Sequence, residues 1–152
     1  MESVARESTR DIIGAQLEST NWFSVNQAQI DQFADCTLDH QFIHVDPEKA
    51  KETPFGSTVA HGFLSLSMLA YFAETFGVQI EGLYMGINYG FNKVRFISPV
   101  KVGSRIRCHA KVLDLVEKNP GQFMLTYDVE VEIEGDNKPA LKAEWIMMQM
   151  VK

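Results

Sequence analysis

The chain has 152 residues, of which 45% are hydrophobic and 22% charged, and a formal net charge of −6. That length suits a single domain over residues 1–152, able to bury about 70% of the surface its unfolded chain exposes, and the composition is that of a globular protein and not of a disordered or membrane one. The negative balance, with no lysine and arginine run to displace counterions, excludes a nucleic-acid partner, and no apolar run reaches the ~20 residues that would cross a bilayer.

Cys36 and Cys108 lie far apart and outside any spaced Cys and His pattern of a zinc site, and two thiols make no secreted disulfide framework. The opening MESVARESTRDIIGAQLEST has no apolar stretch between basic residues and a small-residue cleavage site. No signal peptide is expected, and the expected location is the reducing cytoplasm. Within this opening, Asp11–Leu17 is amphipathic enough for a short helix. NWFSV, residues 21–25, reads as a strand. Asn26 then caps a helix in which Ile30, Phe33, Ala34 and Thr37 recur at helical spacing. From Leu38 to Val45 no period is sustained, and one aspartate and two histidines crowd into a loop. Asp46 and Pro47 open a short helix that Pro54, Gly56 and Ser57 end.

Ala60–Phe76 is almost continuously apolar for 17 residues and closes at Gly77, which describes a buried central helix. After Gly82 everything reads as strands: LYMGINYGFNKVRF, RIRCHAKVLDLV, QFMLTYDVEVEIE and LKAEWIMMQMV. The fold class is therefore α+β, an antiparallel sheet wrapped around one apolar helix, with most connections of about 2–5 residues. Such a sheet has edges that an oligomer could cover. Lys93, Arg95, Lys101, Arg105 and Arg107 fall close together and read mostly as the solvated surface of strands.

Asp39 and His44 stand five apart in the irregular segment. A carboxylate beside a group that titrates near neutrality suits general acid and base work; a capping aspartate and a loop histidine bonded to backbone would look the same. His61 and Gly62 stand where the apolar helix begins, at unpaired N–H groups and the positive end of its dipole. Read alone, they are a partly buried hydrogen-bonding histidine and a packing glycine. Dinucleotide, phosphate-loop, nucleophile-elbow and HExxH motifs are all absent, which disfavours nicotinamide, nucleoside triphosphate and serine acyl-transfer chemistry.

Residues 33–69, FADCTLDHQFIHVDPEKAKETPFGSTVAHGFLSLSML, resemble the MaoC-like dehydratases, also called (R)-specific enoyl-CoA hydratases or hydratase 2. The run INYGFNKVRFISPVKVGSRI, residues 87–106, looks like their nodulation protein N-like branch. The family signature, Gly-Asp-x-Asn-Pro-Leu-His-x-Asp followed by Ala-His-Gly, matches at Asp39, His44 and Ala60-His61-Gly62. It departs at Leu38, in place of Gly, and at Gln41-Phe42, in place of Asn-Pro. The resemblance implies a hot-dog fold and reversible syn hydration of a trans-2-enoyl-CoA to a (3R)-hydroxyacyl-CoA. It makes Asp39 and His44 the catalytic pair, places the thioester at Ala60, His61 and Gly62, and gives Gln41 a supporting role. Phe55, Val59 and Phe63 would line the acyl tail, and Met85, Gly86, Ile87 and Asn88 would flank the thioester. No metal and no cofactor are implied beyond the coenzyme A of the substrate, and a homodimer without membrane attachment is expected. Competing expectations are a hot-dog acyl-CoA thioesterase, since one fold hosts several chemistries, and a non-catalytic acyl-thioester binder.

Overall fold

A computed structural model describes residues 2–152. Two short strands, β1 (Glu2–Val4) and β2 (Phe23–Ser24), bracket an N-terminal segment with one 3₁₀ turn at Arg6–Ser8. The helix expected over Asp11–Leu17 does not form. Gly14 and Leu17 instead donate their N–H groups to Val112 and Ala110 carbonyls at 2.8 and 2.9 Å, and the Ala15 carbonyl accepts from Val112 N–H at 3.0 Å. Bonding along a free sheet edge satisfies more backbone groups than two helical turns interrupted by Gly14 could.

Helix α1 (Gln27–Thr37) starts where expected, the Asn26 side chain accepting from Gln29 N–H at 2.9 Å. The supposed loop contains a single helical turn, α2 (Phe42–Val45), too short for any period to reveal. Helix α3 (Pro47–Lys51) has Pro47 in its first turn and Asp46 as its cap, accepting from Lys49 N–H at 3.1 Å. The central helix forms as α4 (Gly62–Ser67) and α5 (Leu69–Phe76), joined through Met68, which keeps helical dihedrals. It begins at Gly62 and not at Ala60 because His61, its N-cap, has a non-helical ψ of 138°; the Ala60 N–H bonds the Val100 carbonyl at 2.7 Å.

Strand β3 (Val78–Ile80) pairs with β1 in a separate two-stranded parallel sheet, outside the antiparallel sheet expected from the sequence. The four long strands follow: β4 (Leu83–Phe96), β5 (Arg105–Asn119), β6 (Gln122–Ile133) and β7 (Leu141–Val151). Their sheet has the order β2-β5-β6-β7-β4, antiparallel throughout. Between β5 and β6 lies a tight Pro120-Gly121 turn. Gly121 has φ +75°, and a Cβ there would lie 2.5 Å from the Val151 carbonyl oxygen. The connections over 97–104 and 134–140 exceed the expected length. The first of them carries the chain past β7 and β6, because β4 sits at the far edge and not beside β5.

The core lies between the central helix and the inner face of the sheet. Phe123, Leu125, Tyr127, Val129, Val131 and Ile133 alternate along β6, and all are buried. Phe76 meets the Tyr127 ring edge-on at 5.6 Å. The Tyr127 hydroxyl accepts from Val78 N–H at 3.1 Å, and the Gln149 amide bonds both Ile80 N–H and the Val78 carbonyl. Polar tips on inward-facing side chains thus fasten β3 to the sheet. Burial pushes the Tyr127 phenol up to about 12. The β5 edge is covered by the N-terminal segment, whereas β4 presents Tyr84, Met85, Ile87, Tyr89 and Phe91 to solvent. Among the described residues, no helix is long and apolar enough to cross a membrane.

Candidate active site

Asp39 follows Leu38, the residue that ends α1 in the left-handed conformation at φ 63°. The Asp39 carboxylate is exposed, and its Oδ1 accepts from Gln41 N–H at 3.4 Å. His44, within α2, is buried, with its Nδ1 2.6 Å from the Val59 carbonyl oxygen. A carbonyl can only accept, so Nδ1 carries the proton and the Nε2 lone pair is left free. The segment presenting Val59 is fixed on both sides: Val59 N–H donates to the Ile43 carbonyl at 3.0 Å, and Val102 N–H to the Thr58 carbonyl at 3.0 Å. Gln27 completes the frame. Its Nε2–H donates to the His44 carbonyl at 2.7 Å, and its Oε1 accepts from the Thr58 hydroxyl at 2.5 Å.

His61 caps α4 and stacks on His44, with ring centroids 3.8 Å apart and planes 23° apart. Asp39, His44 and His61 each offer one ligand-capable atom within 4.8 Å of the others. Nearly parallel rings point their in-plane lone pairs alongside one another and not at one ion about 2 Å away, so the trio suits proton handling better than tetrahedral metal binding. Burial is the largest influence on His44 and holds it below its ordinary value. Neighbouring His61 acts the same way, while the Val59 bond and the Asp39 charge oppose both. His44 is thereby kept neutral, with a lone pair available to take a proton.

A cavity of about 280 Å³ opens beside His44. Ile43, Phe55, Val59, Val100 and Pro99 give it apolar walls, and Gly62 stands at its helix end. As the first residue of α4, Gly62 has an N–H without an intrahelical partner. A Cβ at Gly62 would come within 3.0 Å of the Phe96 ring, so glycine keeps this corner open. The site therefore joins a neutral base, an adjacent carboxylate, an unpaired N–H and an apolar recess.

The MaoC like domain profile matches residues 8–134 of the chain. The chain belongs to the MaoC-like dehydratase family. It is 44% identical over 147 residues to nodulation protein N of Rhizobium meliloti (strain 1021), covering 96% of this chain and 91% of that protein. With the 3-hydroxyacyl-thioester dehydratase Z of Mycobacterium tuberculosis (strain ATCC 25618 / H37Rv) it shares 41% identity over 144 residues, 93% of this chain and 95% of that one. Among solved structures it resembles the monoamine oxidase regulatory protein from Archaeoglobus fulgius, at TM-score 0.80 and 25% identity over 100% of this chain and 99% of that one. The fold is the hot-dog fold.

Asp39, His44 and His61 come together, and His44, Ala60, Gly62, Phe55 and Val59 line the cavity. Other expected residues lie apart. Gln41 is exposed and touches Asp39 only through its backbone N–H. Phe63 is 67% exposed and packs edge-on against Phe96. Met85, Gly86, Ile87 and Asn88 lie on β4, outside the wall of this cavity. Residues not singled out beforehand contribute instead. Phe96 at the end of β4 and Ile97 and Ser98 after it enter the wall, Ala140 reaches it from the β6–β7 connection, and Ser65 presents a buried hydroxyl one helical turn past Gly62. Phe96–Ser98 stood in a run that carried the resemblance. Gln27 and Thr58 had no pattern to mark them, because their partners are distant in sequence.

Proposed function

We propose that this MaoC-like dehydratase is an (R)-specific enoyl-thioester hydratase that adds water reversibly to a trans-2-enoyl-CoA. The observation that carries the reading is the His44 ring, which lines an apolar cavity, bonds the Val59 carbonyl through Nδ1 and offers a ligand-capable atom within 4.8 Å of one from Asp39. One water held between Asp39 and His44 gives its oxygen to C3, and the pair returns a proton to C2, so that H and OH add to the same face. Charge that develops on the thioester oxygen is received by the Gly62 N–H at the positive end of the central helix. The acyl tail occupies the cavity between Phe55, Val59 and Val100. No metal or redox group takes part, and coenzyme A enters as part of the substrate. The enzyme works in the cytoplasm as a homodimer.

The reading is tested by following the enone absorbance of crotonyl-CoA with wild type, Asp39→Asn and His44→Ala, each checked for folding, and by resolving the product with enantiomer-specific dehydrogenases. Wild type is expected to give the (3R) product, and each variant to lose about 10²–10⁴ in rate. Inert wild type on short and longer enoyl-CoAs overturns the assignment. Release of free thiol from saturated acyl-CoA would instead identify a thioesterase.

A further inference from the structure

Two groups at this site are held very differently. The His44 ring and backbone are bonded to Val59 and Gln27. Asp39 lies in an exposed turn, where the 3.4 Å contact from Gln41 N–H to its carboxylate is weak. The remaining tether on Asp39 comes from His61, whose Nε2–H donates to the Asp39 carbonyl at 2.9 Å.

His61 is only 3% exposed, and with Nε2 committed it has no free donor for a thioester. Its Nδ1 is buried without a hydrogen-bond partner among the described residues. A tautomer with its N–H at Nδ1 would bury a donor with no acceptor, next to the stacked His44 ring. The Nε2–H bond to the Asp39 carbonyl therefore fixes the ring's tautomer and leaves His61 no donor to offer elsewhere. Its ring lies between useful neighbours, against His44 and 5.0 Å from Phe33 of α1.

We propose that His61 is a positioning residue: its Nε2–H holds the Asp39 backbone, its ring braces the His44 imidazole, and its place as the cap of α4 sets both against the Gly62 N–H. It does this without touching substrate. This role deepens the hydratase reading, on which its kinetic readout rests. Three reacting elements arrive from three separate segments of chain, and His61 is the side chain that touches two of them and adjoins the third. Near-attack geometry tolerates little error, and a displacement of about 1 Å can cost about 10²-fold in rate.

Three substitutions separate donor from ring. His61→Phe keeps a stacking ring and removes the donor. His61→Gln places an amide N–H at about the reach of Nε2, and His61→Asn falls one methylene short. With crotonyl-CoA, Phe and Asn are expected to lower kcat about 10²-fold while KM stays within about threefold, and Gln to recover most of the loss. Equal losses in Phe and Gln overturn the donor role, as does a wild-type kcat in Phe. A raised KM at unchanged kcat would make His61 a substrate contact and also overturn it. If His61→Phe fails to fold, the Gln and Asn pair decides. If wild type hydrates no enoyl thioester, the hydratase reading fails on its own. Imidazole nitrogen NMR then judges His61 separately: an Nε2–H tautomer, with an Asp39 carbonyl shift lost in Asn and restored in Gln, supports the tether, and an Nδ1–H tautomer overturns it.

Discussion

At the scale of single residues, His44 couples the chemistry of the site to the stability of the fold. Its folded pKa is lowered, chiefly by burial, from an ordinary 6.5. The unfolded chain therefore binds the proton more readily, and stability must rise with pH across this window. His44 costs nothing above its unfolded value, and its penalty grows as pH falls below about 6.5 towards the lower folded value. Urea unfolding of wild type and His44→Gln at a series of pH values should show wild type losing stability more steeply on the acid side. Parallel curves would mean that the ring is not held neutral. The same lowering keeps Nε2 ready to accept a proton near neutrality, so one desolvation serves the proposed base while charging the fold for it in acid. None of this could be read from the spacing of Asp39 and His44, because the Val59 carbonyl that fixes the tautomer comes from a segment fifteen residues away.

At the scale of elements, the sequence was legible where a pattern extended over many residues. The four long strands and the apolar central helix stand within a few residues of their expected limits, and the caps at Asn26 and Asp46 make their expected bonds. What escaped was short or non-local: the single turn of α2, the parallel β1–β3 pair, and an N-terminal segment bonded to β5 in place of a helix. For the site, the motif placed Asp39, His44 and Gly62 together but gave Gln41 a side-chain role that the structure leaves in solvent. The end of α1 explains one departure from the family pattern. Leu38 sits at φ 63° and is 80% exposed, a position that suits Gly and from which a leucine gains little by burial. An L-residue pays about 1–2 kcal/mol in that conformation, against about 0.5–1 kcal/mol of extra chain entropy lost by glycine. Leu38→Gly should therefore stabilise the protein by about 0.5–1 kcal/mol, read as a higher urea midpoint at unchanged m. A lower midpoint would show that Leu38 makes contacts that outweigh its backbone strain.

On the scale of the whole molecule, the two edges of the large sheet are treated unequally. The N-terminal segment bonds to β5 from Cys108 to Val112 and blunts that edge. Strand β4, 14 residues long, pairs with β7 on one side only and carries Tyr84, Met85, Ile87, Tyr89 and Phe91 in exposed positions. A long edge with unpaired backbone groups and apolar side chains is a template for another strand, and a second copy offers the same edge in a self-complementary way. Pairing of β4 with β4 is the arrangement this predicts, and it would place Met85–Asn88 at the interface. Sedimentation velocity should find wild type at twice the chain mass and the Ile87→Lys/Tyr89→Lys double variant at the chain mass, since charges on an edge oppose pairing. A monomeric wild type overturns the pairing. If the monomeric variant keeps its fold and its rate on crotonyl-CoA, the site is complete within one chain; if pairing and rate are lost together, β4 of one copy helps to build the site of the other.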